Sequence, residues 1–246
     1  MLISINGLYG SGGNEMGWAL SERLGYPVYD GELIAKAVED SGVDLHGATL
    51  AFYDEDEDAP DSLQDPYHNA VLSLELDVLP IAREEPRKTK ENRHSGLLAS
   101  FMDTTTINNR EGIPAVTKQR EIESLRDAQA REIMAAAGKG NAIFFGRCSS
   151  YILRERQDAL RIFTSASLES CRERISGKYA LKDAAKAENL IKETNRRRAY
   201  YYEAFTGQTW DDPENYDFCI NTDYLGFDAT VDLVAELIAR KTAQLG

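Results

Sequence analysis

Four glycines fall within seven positions, at Gly7, Gly10, Gly12 and Gly13, directly after the mostly apolar run Leu2 to Ile5. The run contains β-branched residues and reads as a short buried strand. The glycines let the chain bend sharply and bring bare backbone N–H groups close to an anion. After them Met16, Ala19, Leu20 and Leu24 recur at helical spacing, and Gly25 supplies a stop. Strand, glycine turn and helix in that order aim a helix N-terminus at a phosphate. The stretch therefore predicts a phosphate cradle running through Tyr9, Gly10, Ser11, Gly12, Gly13, Asn14 and Glu15.

Strict motifs are met only in part. G-x-x-x-x-G-K-[ST] is matched at Gly7 and Gly12, but Gly13 stands at the lysine position and Asn14 at the serine or threonine position. A backbone cradle uses N–H groups alone and survives both changes; the lysine charge and the magnesium-holding hydroxyl do not. G-x-G-x-x-G has Gly10 and Gly12 in place and Glu15 where the third glycine belongs. Asp30, after the next apolar stretch, lies where a ribose-binding acid would sit, so a dinucleotide site stays open as an alternative. The nucleophile elbow G-x-S-x-G fails, because Ser11 has glycines directly on both sides.

The rest of the chain alternates strand and helix signals. Val28-Tyr29 reads as a strand closed by Asp30, a helix N-cap or a substrate contact. Thr117 is placed to cap a helix carrying Ile122, Leu125, Gln129 and Ile133, which Gly138 and Gly140 end. Ala142 to Phe145 and Leu160 to Thr164 are strands, with a short helix from Tyr151 between them. Ser167 caps a helix through Leu168, Cys171 and Ile175; a longer one runs from about Asp183 to Phe205 and stops at Gly207. Tyr216 to Asn221 is the last strand, and Asp228 caps the closing helix. Such alternation predicts a mainly parallel sheet covered on both faces, with ligand beyond the strands' carboxyl ends. There the glycine loop, Asp30, Arg147 and Asn221 would gather.

Composition narrows the partners. The 246 residues carry a net charge of −13, which disfavours nucleic acid and anionic membranes. No signal peptide or membrane span is visible, and the cytoplasm is the expected compartment. Cys148, Cys171 and Cys219 are too scattered for a disulfide framework, and His46, His68 and His94 lack ligand spacing, so no protein-built metal site is expected. Residues 43–115 are the least regular part, with an acidic run from Asp54 to Asp58 and prolines at 60, 66, 80 and 86; they read as a substrate-covering insertion. Against this acidic background Arg196, Arg197 and Arg198 concentrate positive charge on one helix. Successive helical residues point about 100° apart, so the three cannot grip one phosphate together. Glu193 is spaced to pair with Arg196 or Arg197. The functional alternative is an arginine clamp on a transferring phosphoryl group. Tyr200, Tyr201, Tyr202 and Phe205 either stack on those guanidiniums or seat the helix.

Five motifs in order span nearly the whole chain: Y-G-S-G-G-x-x-M-G from Tyr9, Y-P-V-Y-D-G-E-L-I from Tyr26, F-F-G-R-C-S-S-Y-I-L from Phe144, N-R-R-R-A-Y-Y-Y from Asn195 and D-P-E-N-Y-D-F-C-I-N-T from Asp212. Together they resemble the cytidylate kinase-like family of P-loop proteins, including members with glycine in place of the loop lysine. The resemblance implies an α/β, three-layer P-loop NTPase fold with a central parallel sheet of about five strands, a helical substrate lobe and an arginine-bearing lid. One domain over 1–246 would hold the lobe at about 43–115 and the lid at about 178–210. It also implies ATP-phosphate binding at residues 9–15, monophosphate contacts at Asp30 and Arg147, and lid chemistry at Arg196, Arg197 and Arg198. ATP with Mg²⁺ would be the phosphoryl donor, and CMP or dCMP the first acceptor to expect. A nucleotide sensor without turnover is the competing implication. The strand ending at Phe145 offers no aspartate for the metal.

Overall fold

A computed structural model describes residues 1–29, 115–146, 148–179 and 181–245, with backbone alone for 115–125. The predicted insertion, Asp30 and Arg147 lie outside the described residues. Five strands form one sheet: β1 Leu2–Gly7, β2 Val28–Tyr29, β3 Ala142–Phe145, β4 Ala159–Ser165 and β5 Phe218–Asn221, in the order β2-β3-β1-β4-β5. All pairings are parallel; in register, Ile3 lies between Ile143 on one side and Leu160 on the other. The chain leaves β1 for one half of the sheet and later returns to its other side. The carboxyl end of β1 is therefore the switch point, where neighbouring connections diverge and leave a crevice.

Strand periodicity divides the core. Ile3 and Ile5 of β1 pack with Ile143, Phe145, Leu160 and Ile162 against α1 (Gly13–Leu24) and α7 (Phe227–Leu245). Leu2 faces the other way, with Phe144 and Ile133, into α2 (Ala115–Ala137) and the short α3 (Ser149–Ile152). Residues two apart share a face, so one strand feeds both layers. Three layers result: helices, sheet, helices. A third cluster joins α4 (Leu168–Tyr179) to α5 (Ala184–Thr206) through Cys171, Ile175, Ala187 and Ile191.

Boundaries follow the expected signals closely, with two corrected caps. Asp183 caps α5 by accepting from the Ala185 N–H, and the Ser167 hydroxyl accepts from the Ser170 N–H at 3.2 Å. Thr117 lies inside α2, and Asp228 lies in the first turn of α7, so neither is the cap. The last strand opens at Phe218; Tyr216 and Asp217 instead follow a 3₁₀ turn over Pro213–Asn215. Cys148 and Cys171 are buried and Cys219 is exposed, all three as free thiols.

Candidate functional site

The glycine loop leaves β1 at the switch point and enters α1 at Gly13. Gly12 stands at the N-cap with φ 86°, and no side chain caps the helix. The first-turn N–H groups have no intrahelical acceptor, and the helix dipole adds partial positive charge beside them. These amides open onto a cleft lined by residues 5 to 15 and by Arg174, Lys178 and Arg198. Positive charge thus faces an unsatisfied row of donors, in a chain that is acidic overall.

Packing fixes the loop tightly. Gly10 has φ 85°, and a Cβ there would meet the Cys171 carbonyl oxygen at 2.8 Å. Gly13 answers the question raised by the missing lysine. A Cβ at Gly13 would lie 2.6 Å from Thr164 Oγ1. That hydroxyl is fully buried and shares a 2.7 Å hydrogen bond with the Ser11 hydroxyl. It also donates to the Asn6 carbonyl at 3.3 Å. Thr222 closes the ladder by donating to the Ser11 carbonyl at 2.7 Å. The lysine position is filled by a threonine from the neighbouring strand, and the Ser11 side chain is spent on structure.

The cations come from helices instead. Arg198 donates to the Gly7 carbonyl at 3.2 Å, with its guanidinium 5.2 Å from the Tyr9 ring centroid. Arg196 and Arg197 both reach Glu193, at 2.6 Å and 2.7 Å. Of the three arginines named from the sequence, Arg198 alone lines the cleft. Tyr201, Tyr202 and Phe205 are buried and seat α5; Tyr201 donates to Gln129 of α2.

Sequence reasoning missed two residues of α4. Arg174 donates to the Gly10 carbonyl at 3.0 Å and pairs with Asp223 at 3.4 Å. Lys178 follows four residues later, on the same side of the helix, and lines the cleft. That spacing, just after β4, was the available signal. Burial pushes the Asp223 carboxyl up, but hydrogen bonds from Ser167 and Ser170 and the Arg174 charge outweigh it and hold the group below the ordinary aspartate range. Asp223 therefore stays ionised and keeps Arg174 oriented. Asn221, expected to gather at the site, uses its carboxamide to accept from the Asp223 N–H and cap the short α6 (Thr222–Leu225). Asp30 and Arg147 follow Tyr29 and Gly146 in sequence but lie outside the described residues. Among the described residues no group of three or more His, Cys, Asp or Glu side chains could hold a metal ion.

The profile of the cytidylate kinase-like family matches residues 2–224. The chain belongs to that family. Among solved structures, an uncharacterized protein from Eubacterium ventriosum aligns over 98% of both chains with TM-score 0.59 and 18% identity, sharing the fold. Shikimate kinase from Bacteroides thetaiotaomicron aligns with TM-score 0.45 and 11% identity over 97% of this chain and 98% of that one. A protein from Corynebacterium glutamicum named uronate isomerase is 33% identical over 111 residues, covering 45% of this chain and 21% of that protein. The chain thus spans about a fifth of that relative's length. In this cytidylate kinase-like protein the glycine loop turns its helix-start amides to the cleft without a lysine, and α4 and α5 supply the positive charge that lines it. No helix among the described residues is long and apolar enough to cross a membrane.

Proposed function

We propose that this nucleotide kinase-like protein moves the γ-phosphoryl group of ATP to a nucleoside monophosphate, CMP or dCMP first. The uncapped N-terminus of α1 at the sheet's switch point, faced by Arg174, Lys178 and Arg198, carries this reading. Backbone N–H groups of Gly12 to Glu15 would hold the donor's polyphosphate, which helix geometry and dipole both favour. Arg198 would neutralise charge that develops on the transferring group, and Arg174 and Lys178 would add positive charge along the donor's phosphates. Such a reaction needs alignment and charge stabilisation and no covalent intermediate. Asp30 and Arg147 are proposed as acceptor contacts.

Mg²⁺ would enter bound to the donor's phosphates and water, as this ion commonly does in kinase sites. Among the described residues that line the cleft, Asn14 and Glu15 carry exposed oxygen-bearing side chains at the start of α1. They suit a hydrated ion held mainly by phosphate better than a protein cage.

The test is phosphoryl transfer from ATP to a panel of nucleoside monophosphates, with and without magnesium, beside calorimetric titration of ATP. Metal-dependent transfer to a cytidine monophosphate supports the proposal. ATP binding without turnover on any acceptor decides for a nucleotide sensor.

A further inference from the structure

Tyr9 sits in the middle of the glycine loop, yet its polar and aromatic groups turn toward the helices that bear the cations. Its backbone N–H donates to Asn195 Oδ1 of α5 at 2.7 Å. Its hydroxyl shares a 2.8 Å hydrogen bond with the Tyr179 hydroxyl at the end of α4. Its ring lies 5.2 Å from the Arg198 guanidinium, which also donates to the Gly7 carbonyl at 3.2 Å. Asn195 and Arg198 are three residues apart on α5 and so share a face.

We infer that Tyr9 is a positioning residue: it straps α5 to the phosphate loop and fixes Arg198 beside the cradle. The inference rests on the nucleotide-binding reading above. Arginine is a long side chain with several rotatable bonds, and ordering it opposes binding. Here the guanidinium is held at two points on one loop, the Gly7 carbonyl and the Tyr9 ring, so cradle and cation move as one body. The Asn195 bond sets the height of α5 against that loop. The Tyr179 bond touches α4, but Arg174 of that helix is fastened to the loop separately, one residue further on at Gly10, so the strap acts on the cradle through α5.

A double-mutant cycle on ATP affinity tests the strap, read by calorimetry in the presence of magnesium. Tyr9→Leu removes the ring face and hydroxyl; it should weaken ATP binding roughly three- to thirtyfold, the equivalent of one partly desolvated cation–π contact. Tyr9→Phe keeps the ring and the amide and should stay within about twofold. In an Arg198→Ala background, Tyr9→Leu should bring no further loss, because the residue it positions is gone. Asn195→Ala should behave in the same way without altering the loop itself, and it serves if Tyr9→Leu does not fold. Equal losses in both backgrounds, or none in either, overturn the inference while leaving nucleotide binding intact. A native chain that takes no ATP overturns the functional reading, and the strap with it.

Discussion

Restoring the consensus lysine at position 13 should damage this protein, and the structure gives the size of the effect. A Cβ at Gly13 would approach Thr164 Oγ1 to 2.6 Å. Thr164 is fully buried within β4, so its backbone has no room to retreat. The hydroxyl must rotate away from Ser11 and Asn6, losing two hydrogen bonds worth about 1 kcal/mol each. Residual overpacking adds about 1 kcal/mol at the low end of its usual range. Better helix propensity than glycine returns up to about 1 kcal/mol. The net for Gly13→Ala is a loss of about 2 kcal/mol, which for a chain of this size lowers Tm by roughly 4–8 °C. Gly13→Lys carries the same clash and should lose at least as much. Thr164→Ala removes the oxygen and leaves Ile5 Cγ2 at 3.4 Å and the residue 164 Cβ at 3.6 Å, ordinary contacts for the new Cβ. In that background only the propensity gain remains, so Gly13→Ala should be neutral or stabilising by up to about 1 kcal/mol, giving a coupling of about 2–3 kcal/mol in a double-mutant cycle. Thermal and denaturant unfolding of the four chains measures it. Equal losses in both backgrounds would refute the claim that Thr164 occupies the lysine's place.

Other outcomes follow from the same geometry. Gly25→Ala, where φ is +70° and nothing lies within 4 Å of the new Cβ, should lose about 1 kcal/mol, the left-handed conformation alone. Gly10→Ala adds a clash with the Cys171 carbonyl and should lose about 2–4 kcal/mol; similar losses at both sites in urea titrations would contradict the loop–α4 contact. Arg198→Ala should weaken ATP binding by roughly 10- to 100-fold, the range for a hydrogen bond to a charged group, while exposed, Glu193-paired Arg196→Ala should change it by less than about twofold. Calorimetry separates the two, and equal losses would show that the clamp is shared. Asp158, Asp217 and Asp223 all titrate below the ordinary aspartate value when folded. Their stabilisation is therefore complete above the unfolded aspartate value and is lost as pH falls through the lowered folded values. Asp223→Asn should flatten part of that acid limb in Tm measured from pH 6 to pH 2; an unchanged limb would sink the Asp223 contribution.

What the sequence disclosed was local. β1, the glycine loop and α1 are legible because strand run, turn and helix spacing are contiguous, and Gly25 and Gly207 end their helices by backbone geometry that a short window reveals. The caps at Thr117 and Asp228 were misplaced because each helix begins before its first polar residue, at Ala115 and Phe227, so a polar side chain already inside the first turn looks like a cap. The arginine triplet was legible as a group but not as individuals. Glu193 is spaced to reach both Arg196 and Arg197, and only the docking of α5 shows that it takes both. Arg174 and Thr164 were illegible for a different reason. Their partners Gly10, Asp223, Ser11 and Asn6 lie 49 to 164 residues away, and no local pattern marks a strand-end threonine as the occupant of a lysine's place.

Moving the positive charge from loop to helix also changes what controls it. A lysine in the loop is delivered whenever the loop folds. Arg198 is delivered only while α5 is docked, and α5 docks through Asn195, Tyr201 and Tyr202 onto the loop, Gln129 and Ser150. Gln129 belongs to α2, the helix that follows the insertion in sequence, and Ser150 belongs to α3, so the charge at the cradle depends on elements from the far face of the sheet. Loosening α5 at a buried hydroxyl that it shares with α3 should then weaken ATP binding. Tyr202→Phe removes one hydroxyl of a fully buried ring, bonded to Ser150 at 3.5 Å, and keeps the packing. Leaving Ser150 without that partner should lower stability by about 1 kcal/mol. If docking and cation delivery are one equilibrium, ATP affinity should fall along with the local protection of α5 amides in hydrogen exchange. A chain whose α5 exchanges faster while ATP binds as before would show that the two are separate.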